Sequence, residues 1–148
     1  MLLRRERAMT AVAIMLDVAF HAGRTEAVSA ADIAERLGQA RRGIEPVLQA
    51  LSRGGLLDSI RGPKGGYRLG RPPRDLRLAE IVSTALDEDG GAEAPAGRLQ
   101  AAVVQPLWTE MEALCRDHLS RLTVADLIKR AAAAGVKRPA VEPLNFVI

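Results

Sequence analysis

The spacing of apolar residues predicts two short amphipathic helices joined by a tight turn. The first covers residues 29–38. It starts with a serine and an aspartate at capping-box spacing and ends at a glycine, a residue suited to close a helix. In the second, from Ile44 to Leu51, apolar residues recur at i, i+3, i+4 and i+7. A longer helix is expected over residues 5–21, where apolar residues on nearly every side indicate packing on several neighbours.

A basic hairpin is predicted directly after these helices. Two apolar runs, residues 56–57 and 67–69, flank the sequence RGPKGG, in which glycine supplies positive φ and proline fixes φ. We therefore expect a β-hairpin with a tip of roughly five or six residues. The tip carries Arg61 and Lys64 and no acidic residue, which suits contact with DNA phosphates or a groove, the alternative being an ordinary solvated turn. This order of elements is typical of a winged helix-turn-helix.

The second half of the chain predicts three more helices. Two prolines at residues 72–73 mark a boundary, and a helix is expected over residues 76–86. A loop rich in glycine, proline and acidic residues follows over 87–98, and we expect it to be mobile. A long helix is expected over 99–121, and a last helix over 123–135 opens with a second capping box.

The long helix carries an apolar stripe that needs a partner. We expect the stripe to form the seam of a dimer, and the alternative is packing within one chain only. The residues predicted to form this seam are Val104, Leu107, Trp108, Met111, Leu114, Cys115, His118 and Leu122.

Charge is distributed unevenly along the chain. Residues 1–77 hold 14 Lys/Arg against 8 Asp/Glu, a net charge of +6, whereas residues 78–148 hold 7 against 10, a net charge of −3. The predicted helix-turn-helix and hairpin therefore lie in the cationic part, as expected of a nucleic-acid-binding surface. Only 3% of residues are aromatic, so the core must be built from Leu, Val, Ile, Met and Ala.

The sequence predicts a cytoplasmic protein. The apolar N-terminal run is interrupted by Asp17 and lacks a cleavage site, so we do not expect a signal peptide. No stretch approaches the length of about 18 apolar residues that a membrane span requires. The single cysteine suits a reducing compartment.

Several segments together resemble a family of transcriptional regulators. The runs VSAADIAERLG, LQALSRGGLL, IRGPKGGYRLGRPP and LAEIVSTALDE, followed by PLWTEM and LTVADLI, are similar to the IscR/NsrR/CymR-type (BadM/Rrf-type) regulators, over roughly residues 1–127. The resemblance implies a mainly α-helical fold with a small β-hairpin. It implies a winged helix-turn-helix DNA-binding domain at residues 1–75 and a helical dimerisation region at residues 76–148. It also implies a homodimer on double-stranded DNA with a palindromic operator, and we interpret the protein as a repressor.

In this family the second helix of the helix-turn-helix enters the major groove. Arg41 and Arg42 lie at its positive end, which favours phosphates and base edges. The resemblance places Arg42 and Glu45 at base-contacting positions, where Arg42 is suited to clamp guanine and Glu45 to accept from cytosine N4. The alternative for Glu45 is stabilisation of the helix N-terminus only. Pro46 is tolerated in a first turn, so we expect the helix to start near residues 42–45.

The resemblance implies that the hairpin reaches the adjacent minor groove. Arg61 matches the family's wing arginine, which suits a narrow minor groove. Lys64 and Arg68 are expected to contact phosphates.

Many members of the family hold an iron–sulfur cluster on three cysteines before the long helix, and this chain departs from that pattern. Residues 87–98 contain no Cys or His, and Ala102 and Gln105 stand where the last loop cysteine and the histidine ligand would fall. A cluster needs thiolates, normally four ligands, so we expect no cluster and no other cofactor. Cys115 and His118 have C-x-x-H spacing; a zinc-like set across a dimer and a redox-responsive thiol are alternatives to burial, which we favour.

The sequence does not predict an enzyme, since it has no phosphate-binding glycine loop, nucleophile elbow or His-rich pattern. The other functional interpretation is a winged-helix protein-interaction module that has lost DNA binding. The arginines at 41, 42 and 61 and the lysine at 64 argue against it, because a protein-binding hairpin would not need such cations.

Overall fold

A computed structural model describes residues 4–22, 26–86 and 97–136 of the protein. Over these ranges the chain forms a mainly helical winged helix-turn-helix with an antiparallel hairpin, which confirms the predicted fold. The elements are α1 (Arg5–His21), α2 (Ala30–Leu37), α3 (Arg41–Arg53), β1 (Leu57–Ile60), β2 (Gly66–Leu69), α4 (Leu78–Leu86), α5 (Gln105–Ser120) and α6 (Val124–Ala133).

Local caps define the helix-turn-helix. The Ser29 hydroxyl accepts a hydrogen bond from the Asp32 backbone N–H at 3.1 Å, which caps α2 as its spacing predicted. Gly38 ends α2 in the left-handed conformation, with φ of 64°, a geometry that glycine adopts without a steric penalty. Only Gln39 and Ala40 separate this glycine from α3, so the turn is tight.

The predicted start of α3 was wrong by a small margin. The helix begins at Arg41, so Pro46 lies in the second turn rather than in the first. Proline has no N–H to donate to the carbonyl four residues earlier, and the carbonyl of Arg42 therefore lacks its usual helical donor. The bonds on either side of this gap hold the helix together, because α3 buries a continuous apolar face against the core.

The hairpin is joined to the start of the helix-turn-helix. Leu57 pairs with Leu69 and Ile60 with Gly66 across the two strands. Val28 and Tyr67 exchange two backbone hydrogen bonds of 2.8 Å, which add a bridge beside β2. A side chain at Gly66 would collide with the Val28 carbonyl, so glycine is required for this close approach.

The core is aliphatic, as the composition predicted. α1 lies at its centre and is covered by α2, α3, α4 and the base of the hairpin. The largest fully buried side chains are Ile14, Met15, Ile33, Ile44, Leu48, Leu51, Leu56, Leu57, Leu76, Ile81, Val18 and Val124.

Two boundaries in the second half differ from the prediction. α4 begins at Leu78 rather than at Leu76, because the backbone of Leu76 accepts a hydrogen bond from Val124 and the N–H of Leu78 donates to Leu122. The long helix has π-type hydrogen bonding over Gln100–Val104, just before Pro106. A proline crowds the carbonyl four residues earlier, which is a recognised cause of such wide turns.

Two sequence predictions meet the described ranges only in part. The loop expected to be mobile, 87–98, lies outside the described residues except for Gly97 and Arg98. The division into units at residues 1–75 and 76–148 stays a prediction. Within the described ranges, no helix is both long and apolar enough to cross a membrane.

Candidate nucleic-acid interface

The helix α3 has one buried and one exposed face. Its apolar residues face the core, and Ile44, Leu48 and Leu51 are fully buried. On the opposite face the side chains are polar or charged for the most part. The exposed residues are Arg41, Arg42, Gly43, Pro46, Gln49 and Arg53, and Glu45 is half-buried.

The three predicted contacts on α3 differ in their engagement. The Nε of Arg41 donates to Oε1 of Glu45 at 2.9 Å, one turn along the helix. Such an exposed pair is worth about 0–1 kcal/mol, so DNA can displace either partner at little cost. Arg42 is exposed and makes no ion pair with any residue that the structure describes. It is therefore the cation that the start of α3 presents to a ligand.

The hairpin presents its two predicted cations at the tip. Arg61 and Lys64 are exposed, and neither forms an ion pair within the described ranges. Arg68 differs, because its Nε lies 3.7 Å from Oδ2 of Asp58, the residue opposite it in the sheet register. Arg68 therefore lies along the strand and not at the tip.

A polar cleft separates α3 from the hairpin. Its volume is about 350 Å³, and residues of both elements line it, including Arg41, Glu45 and Gln49 on the helix and Ser59 and Gly62 on the hairpin. Sequence reasoning did not select Gln49 or Ser59. The signal for Gln49 was its place four residues after Glu45, which puts both on neighbouring turns of one face.

A buried ion pair holds the helix-turn-helix against α1. The Nε and Nη2 of Arg36 donate to the two carboxylate oxygens of Asp17, each at 2.9 Å, although Asp17 is only 8% exposed. The hydrogen bond to Asp17 raises the pKa of the Arg36 guanidinium above its ordinary value, so Arg36 stays charged. Nε2 of His21 lies 3.7 Å from the same carboxylate. Sequence reasoning treated Asp17 only as an interruption of an apolar run.

The predicted apolar stripe on α5 divides into two parts. Every described residue from 97 to 110 is exposed, and Leu107 and Leu114 are 50% and 68% exposed. At the other end, Leu122 packs on the core of its own chain, so its assignment to the seam needs correction. The remaining predicted positions lie between these extremes: Val104, Trp108 and His118 are exposed, and Met111 and Cys115 are half-buried.

An apolar groove lies beside the end of this stripe. It has a volume of about 510 Å³, and its lining includes Met9, Val12 and Leu16 of α1, Leu119 of α5 and Leu127 of α6. Exposed apolar surface of this extent is unusual on a monomer and typical of an interaction site.

The comparison with known families decides the class of protein. The profile of the Rrf2 family, described as an iron-dependent transcriptional regulator, matches residues 5–130. The chain belongs to the Rrf2 family. It is therefore a DNA-binding winged-helix regulator of transcription, as its helix-turn-helix and hairpin predicted.

Relatives of this Rrf2-family chain are transcriptional regulators. It is 34% identical to the HTH-type transcriptional regulator IscR of Vibrio atlanticus over 124 residues, which cover 80% of this chain and 70% of that protein. It is 33% identical to the putative HTH-type transcriptional regulator ORF2 of Azotobacter vinelandii, over 82% of this chain and 76% of that one.

Solved structures agree with these relatives. The structure of T. potens IscR covers 90% of both chains, with a TM-score of 0.69 and 29% identity. Staphylococcus aureus CymR covers 82% of this chain and 94% of its own, with a TM-score of 0.63 and 26% identity.

The residues of this chain do not fit an iron–sulfur cluster. Ala102 and Gln105, at the positions where the resemblance places ligands, carry neither a thiol nor an imidazole. The one cysteine of the sequence, Cys115, is half-buried on α5. Across the described part of the chain, no three His, Cys, Asp or Glu side chains converge on a common point. A cluster needs about four ligands, mostly thiolates, so the donor set is inadequate.

Proposed function

We propose that this Rrf2-family regulator is a homodimeric repressor that binds a palindromic operator and acts without an iron–sulfur cluster. The observation that carries the proposal is the basic face beside the α3–hairpin cleft. Arg42 stands exposed at the start of α3, and Arg61 and Lys64 stand exposed at the tip of the hairpin. A repressor needs only to occupy DNA that the polymerase must use, so operator binding is sufficient for this role.

The two elements would contact different features of the operator. A helix such as α3 fits the major groove, where Arg42 is suited to guanine O6 and N7. Glu45 would accept from cytosine N4 once it separates from Arg41. The hairpin would place Arg61 in the adjacent minor groove and Lys64 near the phosphates. Arg68, beside Asp58, would support the backbone contact from the strand.

Dimerisation would explain the uncovered apolar surface. The start of α5 exposes Leu107 and Leu114, and a second copy in a two-fold arrangement would cover both copies of this surface. Two reading units related by a two-fold axis match a palindrome whose half-sites lie about 34–36 Å apart. In this arrangement Cys115 and His118 are part of the seam and not metal ligands.

DNA-binding measurements on matched variants test the reading surface. Arg42→Ala should cost about 1–3 kcal/mol on a selected operator and much less on scrambled duplex, because a base contact is lost. Lys64→Ala should weaken binding to both duplexes and reduce the salt slope by about one unit, because one phosphate contact is lost. The measurement is a salt titration of the dissociation constant for each variant on each duplex.

Controls and contrary outcomes are well defined. Lys129→Ala removes an exposed lysine of α6, far along the chain from the reading surface, and should change nothing. The protein purified without oxygen should bind the operator at full affinity without iron, and expression beside an operator-linked reporter should lower transcription. Wild-type binding by both variants would instead support a protein-interaction module, and an iron requirement or a rise in transcription would contradict the corresponding part of the proposal.

A further inference from the structure

Gln49 lies at the centre of the exposed face of α3. With about 100° between successive residues, its direction around the helix falls between those of Glu45 and Arg42. The buried residues Ile44 and Leu51 lie on the far side of the axis. A helix that enters a groove with its exposed face therefore brings Gln49 closest to the groove floor.

The amide of Gln49 is available for a ligand. It makes no hydrogen bond with any residue in the described ranges, whereas its neighbours Arg41 and Glu45 bind each other. It also borders the cleft between α3 and the hairpin, opposite Ser59. A glutamine amide carries both donors and an acceptor, the combination that a base edge with one of each can satisfy.

We propose that Gln49 is a specificity-determining residue that reads an adenine in the major groove. Adenine presents N7 as an acceptor and N6 as a donor, and a glutamine amide matches both at once. The inference rests on the proposed entry of α3 into that groove. A phosphate contact fits less well, because Gln49 lies at the centre of the face, whereas groups at its margins are closer to the DNA strands, and an amide carries no charge.

The helix geometry also fixes the expected distance between two base contacts. Gln49 follows Arg42 by seven positions, nearly two turns, so both point in almost the same direction, about 10.5 Å apart along the axis. With a rise of about 3.4 Å per base pair, the adenine should lie about three base pairs from the guanine that Arg42 reads.

Selection of binding sites from a random duplex library tests the inference with the full chain. The wild type should enrich a palindromic motif. Gln49→Ala should enrich the same motif with one adenine in each half-site degenerate, and should bind the wild-type site about 5- to 100-fold more weakly. Gln49→Glu should prefer cytosine at that position, because a carboxylate accepts from cytosine N4.

A matched glutamine provides the control. Gln39 is exposed just before α3, but its amide donates to the Thr10 hydroxyl at 3.2 Å, and Gln39→Ala should leave the motif unchanged. An unchanged motif with Gln49→Ala, or a uniform loss at all positions, would overturn the role of Gln49 and leave the proposed function intact. Failure of the wild type to enrich any motif would overturn both.

Discussion

The carboxylate of Asp17 illustrates how one residue can position a whole reading unit. It is buried in α1, and both of its oxygens accept hydrogen bonds from Arg36 of α2. A buried carboxylate without a partner is costly, so the pair restricts the orientation of α2 relative to α1. Since a tight turn follows α2, this restriction extends to α3 and to Arg42 at its start.

Removal of the arginine should therefore destabilise the protein. Arg36→Met keeps the length of the side chain but leaves Asp17 unpaired, and we expect a loss of about 1–3 kcal/mol, less than for a fully buried pair because Arg36 is partly exposed. Chemical denaturation measures this loss. Arg121→Met breaks an exposed pair with Asp117 and should cost less than about 1 kcal/mol. Equal stability of the two variants would show that the buried pair has no special role.

Single residues were predictable where the signal was local. Arg42 and Lys64 were expected at the surface because a helix start and a glycine-rich tip are recognisable from their neighbours in sequence, and both are exposed. Their contacts with DNA stay a prediction. The partner of Asp17 lies 19 positions away, and no pattern in one sequence identifies such a pair.

Among the elements, α6 shows how a short sequence pattern defines a helix start. The Thr123 hydroxyl accepts from the Asp126 N–H at 3.3 Å, and the Asp126 carboxylate accepts from the Thr123 N–H at 2.9 Å. Both bonds were predictable, because a capping box depends on residues three positions apart. The wide turn before Pro106 was not predicted, because the length of the helical pattern does not reveal how the backbone adjusts to a proline.

The same capping box predicts a dependence of stability on pH. The backbone hydrogen bond from Thr123, aided by its hydroxyl, lowers the pKa of Asp126 below its ordinary value of 3.8. A lowered pKa in the folded state stabilises the fold above the ordinary value, and this stabilisation is lost as the pH falls through the folded-state value. Asp126→Asn should therefore be less stable than the wild type at neutral pH, and the difference should shrink below pH 3.8. Urea unfolding at several pH values measures it, and a difference independent of pH would contradict the assignment.

At the scale of the whole molecule, the chain has two unlike surfaces. The cationic surface lies on α3 and the hairpin, and the apolar one on the start of α5 and in the groove beside α1. The sequence predicted the stripe on α5 from its periodicity. It did not predict that Leu122 would pack inside the chain, because a helical period does not show where one partner ends and another begins.

The proposed dimer makes a direct prediction about assembly. Leu107→Glu combined with Met111→Glu should give monomers and abolish tight operator binding, because two half-sites must be bound together. Ala113→Glu adds a charge on the opposite side of α5 and should leave the dimer intact. Analytical ultracentrifugation at micromolar concentration measures the assembly. A wild-type monomer under these conditions would rule out the proposed seam.

The bond between Arg41 and Glu45 bears on how quickly the protein can search a genome. Random sequence offers up to about a billion competing sites, and a protein that lingers at each of them finds its target slowly. While the pair is closed, the start of α3 contributes one effective cation instead of two, so the scanning protein is held less tightly and slides more freely. Opening the pair at a matching base would lengthen the stay only where it is useful. Speed during the search and residence at the target would then be set by two states of one ion pair.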